Sequence, residues 1–235
     1  MGTTPHSARR PGLPVAAYGE DVRADFIHRT YMHLFGAIVA FTLLEWMLFS
    51  SGLAYPMASA MLGTSWLLVL GGFVVVSWIA SRVAHQTRSL GMQYAALAGF
   101  VVAEAIIFVP LLVIAQLYAP GTIQSAALVT LTGFGLLTAV VFWTKKDLSF
   151  LGGLLMWAGI LALVAIVAAV IFGFELGTWF SLAMVGLAGA AILYDTSNVL
   201  HHYPEDRYVA AALELFASVA LMFWYVLRLF IGARD

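Results

Sequence analysis

The chain has no cysteine, and its only lysines are the adjacent pair Lys145 and Lys146. Without cysteine there is no disulfide, no thiol nucleophile, no thiolate metal site and no covalent haem attachment. Charge is equally scarce. Asp, Glu, Lys and Arg make up 10% of the residues, against roughly 25% in an ordinary soluble domain. A soluble globule of this size cannot cover its surface with so few charges. The formal net charge is −1, so no global field attracts a polyanion, and nucleic acid is excluded as a partner.

What fills the chain is apolar: 63% of its 235 residues, against roughly 45–50% ordinarily. This composition predicts a polytopic membrane protein whose outer face is solvated by the lipid bilayer. A helix needs about 20 apolar residues to cross the hydrocarbon core. Seven runs qualify: Tyr31–Ser50, Gly63–Ser81, Tyr94–Tyr118, Ser125–Trp143, Phe150–Phe172, Trp179–Val199 and Val209–Ile231. The runs are continuous, unlike the short alternating strands of a barrel. Pro110 in the third run predicts a tilt or kink. The expected organisation is a flexible tail over residues 1–29, a seven-helix bundle over 30–232 and a short external terminus over 233–235. The far end of the tail, from Val22 to Thr30, is able to continue into the first helix. Arg9, Arg10, Arg23 and Arg29 with no apolar h-region exclude a cleavable signal peptide and make the first span a signal anchor.

Basic residues set the expected orientation. With seven spans, the tail, the second-to-third, fourth-to-fifth and sixth-to-seventh connections share one side, and they hold nine of the eleven Lys and Arg. Arg228 and Arg234 are on the other side. The positive-inside rule then puts the N-terminus in the cytoplasm and the C-terminus outside.

Carboxylates inside spans are informative because burying one costs several kcal/mol unless it is paired or protonated. Glu45, near the outer end of the first span, reads as an interfacial side chain reaching the headgroups. Glu104 lies deeper, about 15 Å past Tyr94 at ~1.5 Å per residue. It is either a protonated acid hydrogen-bonded to a Ser, Thr or carbonyl of a neighbouring helix or functional. Asp195 lies about 24 Å from Trp179, and Glu214 about 7 Å into the last span, so the two share a depth. Arg82 closes the second span on the same side, where a pair with Asp195 is permitted and would keep that acid charged. The alternative is a polar helix-end cluster in water. Glu214 and Ser218, four apart, share a helix face. His201 and His202 read as solvated loop residues rather than metal ligands, and Gly186, Ala190 and their small neighbours in span six as helix-packing positions.

Several membrane activities are excluded by absence. A retinal Schiff base needs a lysine in the last span, which has none. A serine intramembrane protease needs a buried histidine partner, and no histidine lies mid-span. An aspartyl protease is not excluded but stands a distant third: it needs two aspartates sharing a proton, Asp195 supplies one, and the last span offers Glu214 but no Asp and no G-x-G-D. No catalytic group, metal site or cofactor is expected.

Three segments carry a resemblance. They are Thr144-Lys145-Lys146-Asp147-Leu148-Ser149-Phe150-Leu151-Gly152-Gly153, Ala191-Ile192-Leu193-Tyr194-Asp195-Thr196-Ser197-Asn198, and Leu215 to Gly232. With the seven spans, the chain from about residue 25 resembles the Bax inhibitor-1 family. The resemblance implies an all-α membrane fold with six helices around a central seventh. Some members are pH-sensitive calcium leak channels, gated by an aspartate pair in spans six and seven with a span-two arginine nearby. Asp195 matches the first aspartate, Arg82 is the arginine available, and Ser218 occupies the second aspartate position, with Glu214 one turn away. The serine, the Asp-Thr-Ser-Asn run and the Ala233-Arg234-Asp235 terminus resemble a branch of bacterial inner-membrane proteins that bind and restrain the membrane-anchored AAA protease FtsH. The resemblance therefore implies a modulator of FtsH, engaged through the tail from Met1 to about Glu20. The alternative is a calcium leak channel with Ca2+ as the transported ion.

Overall fold

Helix is the only extended secondary structure in residues 13–233, which the computed structural model describes. Eight helices follow in order: α1 Glu20–Ser50, α2 Ala54–Leu62, α3 Trp66–Gln86, α4 Leu90–Tyr118, α5 Thr122–Thr144, α6 Leu151–Phe172, α7 Gly177–His201 and α8 Tyr208–Gly232. All but α2 are long and apolar enough to cross a membrane, which makes seven candidate spans. The expected flexibility of the first residues and the terminus at 234–235 lie outside the described residues. Residues 20–29, assigned from sequence to the tail, are helical. Glu20 and Asp21 sit in the first turn of α1, where carboxylates complement the helix dipole. Upstream, Val15–Ala17 form a 3-10 turn.

Alternation of direction gathers the connections into two sets. Arg23, Arg29, Arg82, Arg88, Lys145, Lys146 and Arg207 all fall at one end of the bundle, here called the basic end, and Arg228 falls toward the other. Large aromatic side chains stand in the open near both ends. Trp143 is 89% exposed near the basic end, and Trp179 is 84% exposed at the opposite one. Such exposure suits a membrane interface, where an amphipathic ring meets headgroups.

The last helix occupies the centre. α8 packs against α7, α1, α5, α4 and α3, and leucines 213, 215 and 227 on it are sealed from solvent. Lipid is as apolar as leucine, so close packing rather than water exclusion holds such a core. The small run Ala210-Ala211-Ala212 lets neighbouring helices approach α8. α4, unbroken through Pro110, is the other deeply buried helix. α6 is different. It rests on α7 and touches α3 lightly, and Ala169 is its one buried residue. It stands off from α8, and a cavity lies between them.

Two close approaches refine the sequence expectation. Gly186 has open space where a Cβ would stand, whereas a Cβ on Gly189 would meet Leu137 at 3.4 Å and Met222 at 3.6 Å. The tight packing of α7 is therefore at Gly189 rather than Gly186. A Cβ on Gly152 would stand 3.0 Å from the Tyr194 ring and hydroxyl, so the start of α6 is pressed onto α7 there.

Candidate functional site

The segments that stood out in the sequence meet at the basic end. Lys145 ends α5 in the left-handed backbone region (φ 50°) and turns the chain toward α7. There the fully buried Ser197 accepts a hydrogen bond from the Leu148 N–H (2.8 Å) and donates one to the Lys146 carbonyl (3.3 Å). One turn on, His202 Nε2 lies 3.1 Å from the Asp147 carboxylate. Asp147 also accepts the Ser149 N–H at 2.9 Å. The backbone bond from Ser149 and then the His202 contact hold the Asp147 carboxyl at about 2, below the usual carboxylate range. His202 is thus a solvated loop residue, as expected, and it also fastens one loop to another. His201 ends α7, its ring bonded to the Ser197 carbonyl (2.9 Å).

One turn inward, two of the candidate site residues meet between α7 and α8. Ser218 Oγ donates to Asp195 Oδ2 at 2.6 Å. Ser218 is buried and Asp195 half-buried. The hydroxyls of Tyr31, Thr138 and Thr196, from α1, α5 and α7, turn toward one another beside this pair. Glu214 lies within electrostatic reach of Asp195 but bonds elsewhere: Ser81 Oγ on α3 donates to its Oε1 at 2.7 Å. The two acids, Asp195 on α7 and Glu214 on α8, therefore have separate hydroxyl partners.

The pair permitted between Asp195 and Arg82 does not form. Arg82 is exposed, stands over the Trp78 ring at 5.1 Å and donates to Gln86 at 3.3 Å. The reason is helical phase. Ser81 and His85, four apart, face α8, and Arg82 is turned about 100° from Ser81. His85, which the sequence offered only as a residue outside mid-span, takes the inward position. Its Nδ1 bonds the Ser81 carbonyl at 2.8 Å and lies 3.7 Å from Glu214. Its Nε2 is 3.1 Å from the Tyr203 hydroxyl. Burial first, and then the Glu214 and Asp195 charges, push the Tyr203 hydroxyl well above the usual phenol range. Tyr203 therefore keeps its proton, and because the Ser81 carbonyl can only accept, His85 Nδ1–H donates to it. The i,i+4 spacing of Ser81 and His85 was the available sequence signal, and it needed the phase of α3 to be read.

Above this network lies an N-terminal strap. The Val15 N–H bonds the Tyr203 carbonyl at 2.8 Å, Pro14 pairs with Pro204, and Val15 is fully buried. Phe26 stacks on Tyr203 at 6.4 Å. Strap, loop, His85 and Glu214 form one connected path.

The other two acids are buried elsewhere. Glu45 is not an interfacial residue. It belongs to the inward stripe of α1 with Leu34 and Ala37, is 7% exposed, and neither of its oxygens has a partner among the described residues. Glu104 stands at the midpoint of α4, 6% exposed, and lines the cavity beside α6. The expected bond to a neighbouring Ser, Thr or carbonyl is absent among the described residues. Nor do the described residues contain a group of His, Asp and Glu able to hold a metal ion.

Sequence comparison places the chain among known relatives. The modulator of FtsH protease YccA of Escherichia coli K12 is 33% identical over 100 residues, which cover 42% of this chain and 45% of that protein. The inner membrane protein YccA of a second Escherichia coli strain matches to the same extent. Bax inhibitor 1 of Schizosaccharomyces pombe is 28% identical over 232 residues, 92% of this chain and 79% of that one. The match thus spans less than half the length of the two bacterial relatives. The family described as inhibitor of apoptosis-promoting Bax1 matches residues 23–235. Its members are membrane modulators rather than enzymes. Seven spans, five of them packed on the last and one leaning on α7, and a family match that begins just inside α1 make this chain a multi-pass membrane protein that belongs to the Bax inhibitor-1 family.

Proposed function

We propose that this chain is an inner-membrane modulator of the FtsH protease, with its basic end in the cytoplasm. The observation that carries the reading is the 33% identity to a bacterial protein named for that role. The fold supports it physically. Traction on the N-terminus meets the strap first and must strip Val15 from the Tyr203 loop. It then meets α1, which packs on the central α8 and on α4. A substrate of this kind is engaged readily and extracted slowly, which occupies the protease. Within the handle expected from sequence, Val15 is buried and bonded to the Tyr203 loop, so the free handle in this reading lies before Pro14. The test uses FtsH reconstituted in liposomes with the full chain or a truncation starting at Leu13. The full chain should be degraded slowly and should retard a second membrane substrate, and the truncation should do neither. Equal effects of both chains would refute the handle. No effect of the full chain would refute the modulator.

A cation leak is the second reading, favoured by one observation: the cavity from the opposite end reaches Ser218, the partner of Asp195. In this reading the strap and the Glu214–His85–Tyr203 cluster form the barrier to the basic end. Calcium entry into liposomes, followed from pH 6 to 8, tests it. Ser218→Asp, which installs a proton-sharing pair, should make flux steeply pH-dependent, and the wild type should be nearly flat. A steep wild-type response abolished by Glu214→Gln would assign the second gating acid to Glu214.

A further inference from the structure

A cavity of about 1100 Å3 opens at the end opposite the basic one and runs inward between α3, α4, α6, α7 and α8. It exists because α6 leans on α7 and stands off from the central helix. Pockets that hold drug-sized molecules measure roughly 300–1000 Å3, so this one has room for such a ligand. Its inner wall is aromatic. Trp66 and Trp224 stack at 6.2 Å, Phe108 meets Trp224 edge-on at 5.0 Å, and Phe73 meets Phe100 at 6.3 Å. Among these rings the wall has a single acid, Glu104, and Glu175 is the other acid, near the mouth.

Glu104 has no countercharge of its own. It makes no hydrogen bond or ion pair among the described residues. Arg228 also lines the cavity but stands over the Tyr225 ring at 6.0 Å. Trp224 meets Phe108, which is one turn beyond Glu104, and Arg228 is a turn further on. That separates the two charges by about 11 Å along the bundle. A carboxylic acid at mid-span ionises only beside a positive partner. A bare calcium ion takes 6–8 oxygen ligands, and one carboxylate among rings does not supply them. A cation whose charge is spread over an apolar body suits both features. The carboxylate balances its charge, and the ring faces attract it within about 6 Å.

We propose that this cavity is a binding site for lipophilic organic cations, with the ligand charge held by Glu104 and its apolar body between the rings of α3, α4 and α8. The site is independent of the FtsH reading, since it does not use the strap; it shares its cavity with the leak reading, whose inner end is at Ser218.

The test is equilibrium binding of radiolabelled tetraphenylphosphonium to the full chain in lipid nanodiscs, with neutral triphenylphosphine oxide as the uncharged probe. The wild type should bind the cation saturably, at least about tenfold more tightly than the neutral probe, a factor that corresponds to about 1.4 kcal/mol. Glu104→Gln should remove that preference and leave the neutral probe unaffected. Leu221→Trp, which keeps Glu104 and fills the cavity, should abolish saturable binding of both. Equal affinity of the wild type for the two probes would overturn the proposal and make the cavity an apolar lipid slot. So would cation binding that survives both substitutions, or cation uptake no greater than that of empty nanodiscs.

Discussion

Replacing Ser197 by alanine tests the junction on which the basic end is built. The Ser197 hydroxyl is fully buried and makes two hydrogen bonds, from the Leu148 N–H at 2.8 Å and to the Lys146 carbonyl at 3.3 Å. Neither backbone group has another partner in the helices, because residues 145–150 form the turn between α5 and α6. A net hydrogen bond contributes about 0.5–1.5 kcal/mol, and a donor left unsatisfied costs about 1–3 kcal/mol. The second bond is long, so most of the loss falls on Leu148. Together they give an expected cost of about 1–3 kcal/mol, mostly local, since α5 and α6 keep their own ladders. Local opening by that amount should raise exchange of the Leu148 amide by about ten- to a hundredfold, at tenfold per 1.4 kcal/mol. The assay is hydrogen exchange by mass spectrometry on the full chain in nanodiscs, comparing the peptide that covers residues 145–152 with one from the middle of α8. Faster exchange confined to the loop peptide is the expected result. Unchanged exchange there, or equal acceleration in both peptides, would refute the idea that Ser197 pins the loop to α7.

Three further outcomes follow from single positions. Gly152→Ala should melt at a lower temperature than Gly153→Ala, because the added Cβ stands 3.0 Å from the Tyr194 ring whereas Gly153 has open space. Overpacking costs about 1–3 kcal/mol, and a Gly153→Ala that melts no higher than Gly152→Ala would contradict it. Glu45→Met should stabilise the bundle by about 1–3 kcal/mol, since it removes two buried, unpartnered oxygens; a lower melting temperature would show that Glu45 has a partner. Asp147, held at about 2, has a folded value below its unfolded one. Its contribution is therefore complete above the usual carboxylate range near 3.9 and is lost as pH falls through about 2. The 13C shift of its carboxyl should stay flat from pH 8 to 4, and a midpoint near 4 would dismiss the Ser149 and His202 contacts.

The acids divide by what surrounds them rather than by depth. Asp195 and Glu214 each have a hydroxyl donor and lie beside a loop network. Glu104 faces a cavity and Glu45 a sealed interface. Sequence places all four inside spans, where each is costly, but cost alone does not distinguish a gate, a ligand site and a packing defect.

Much of the architecture is written in composition. Charge scarcity and seven continuous apolar runs determine a seven-span helical protein, because backbone groups in lipid must be satisfied within a helix. Alternation then sends the basic residues to one end, whatever the packing. The Asp195–Ser218 pair was legible too, because both positions lie in segments with a family resemblance and α7 runs antiparallel to α8. Other features depend on rotation about helix axes and on contacts distant in sequence. The phase of α3 decides that Ser81 and His85, not Arg82, meet Glu214. The inward turn of α1 buries Glu45, although a terminal acid in an isolated span belongs at the headgroups. Docking of Val15 on Tyr203 draws residues 14–18 out of the tail, and α2 is too short to register as a span. The lean of α6 opens the cavity at Glu104. Hydropathy counts apolar residues along one chain, whereas these outcomes depend on which face each helix turns to its neighbours, and only the packed bundle decides that.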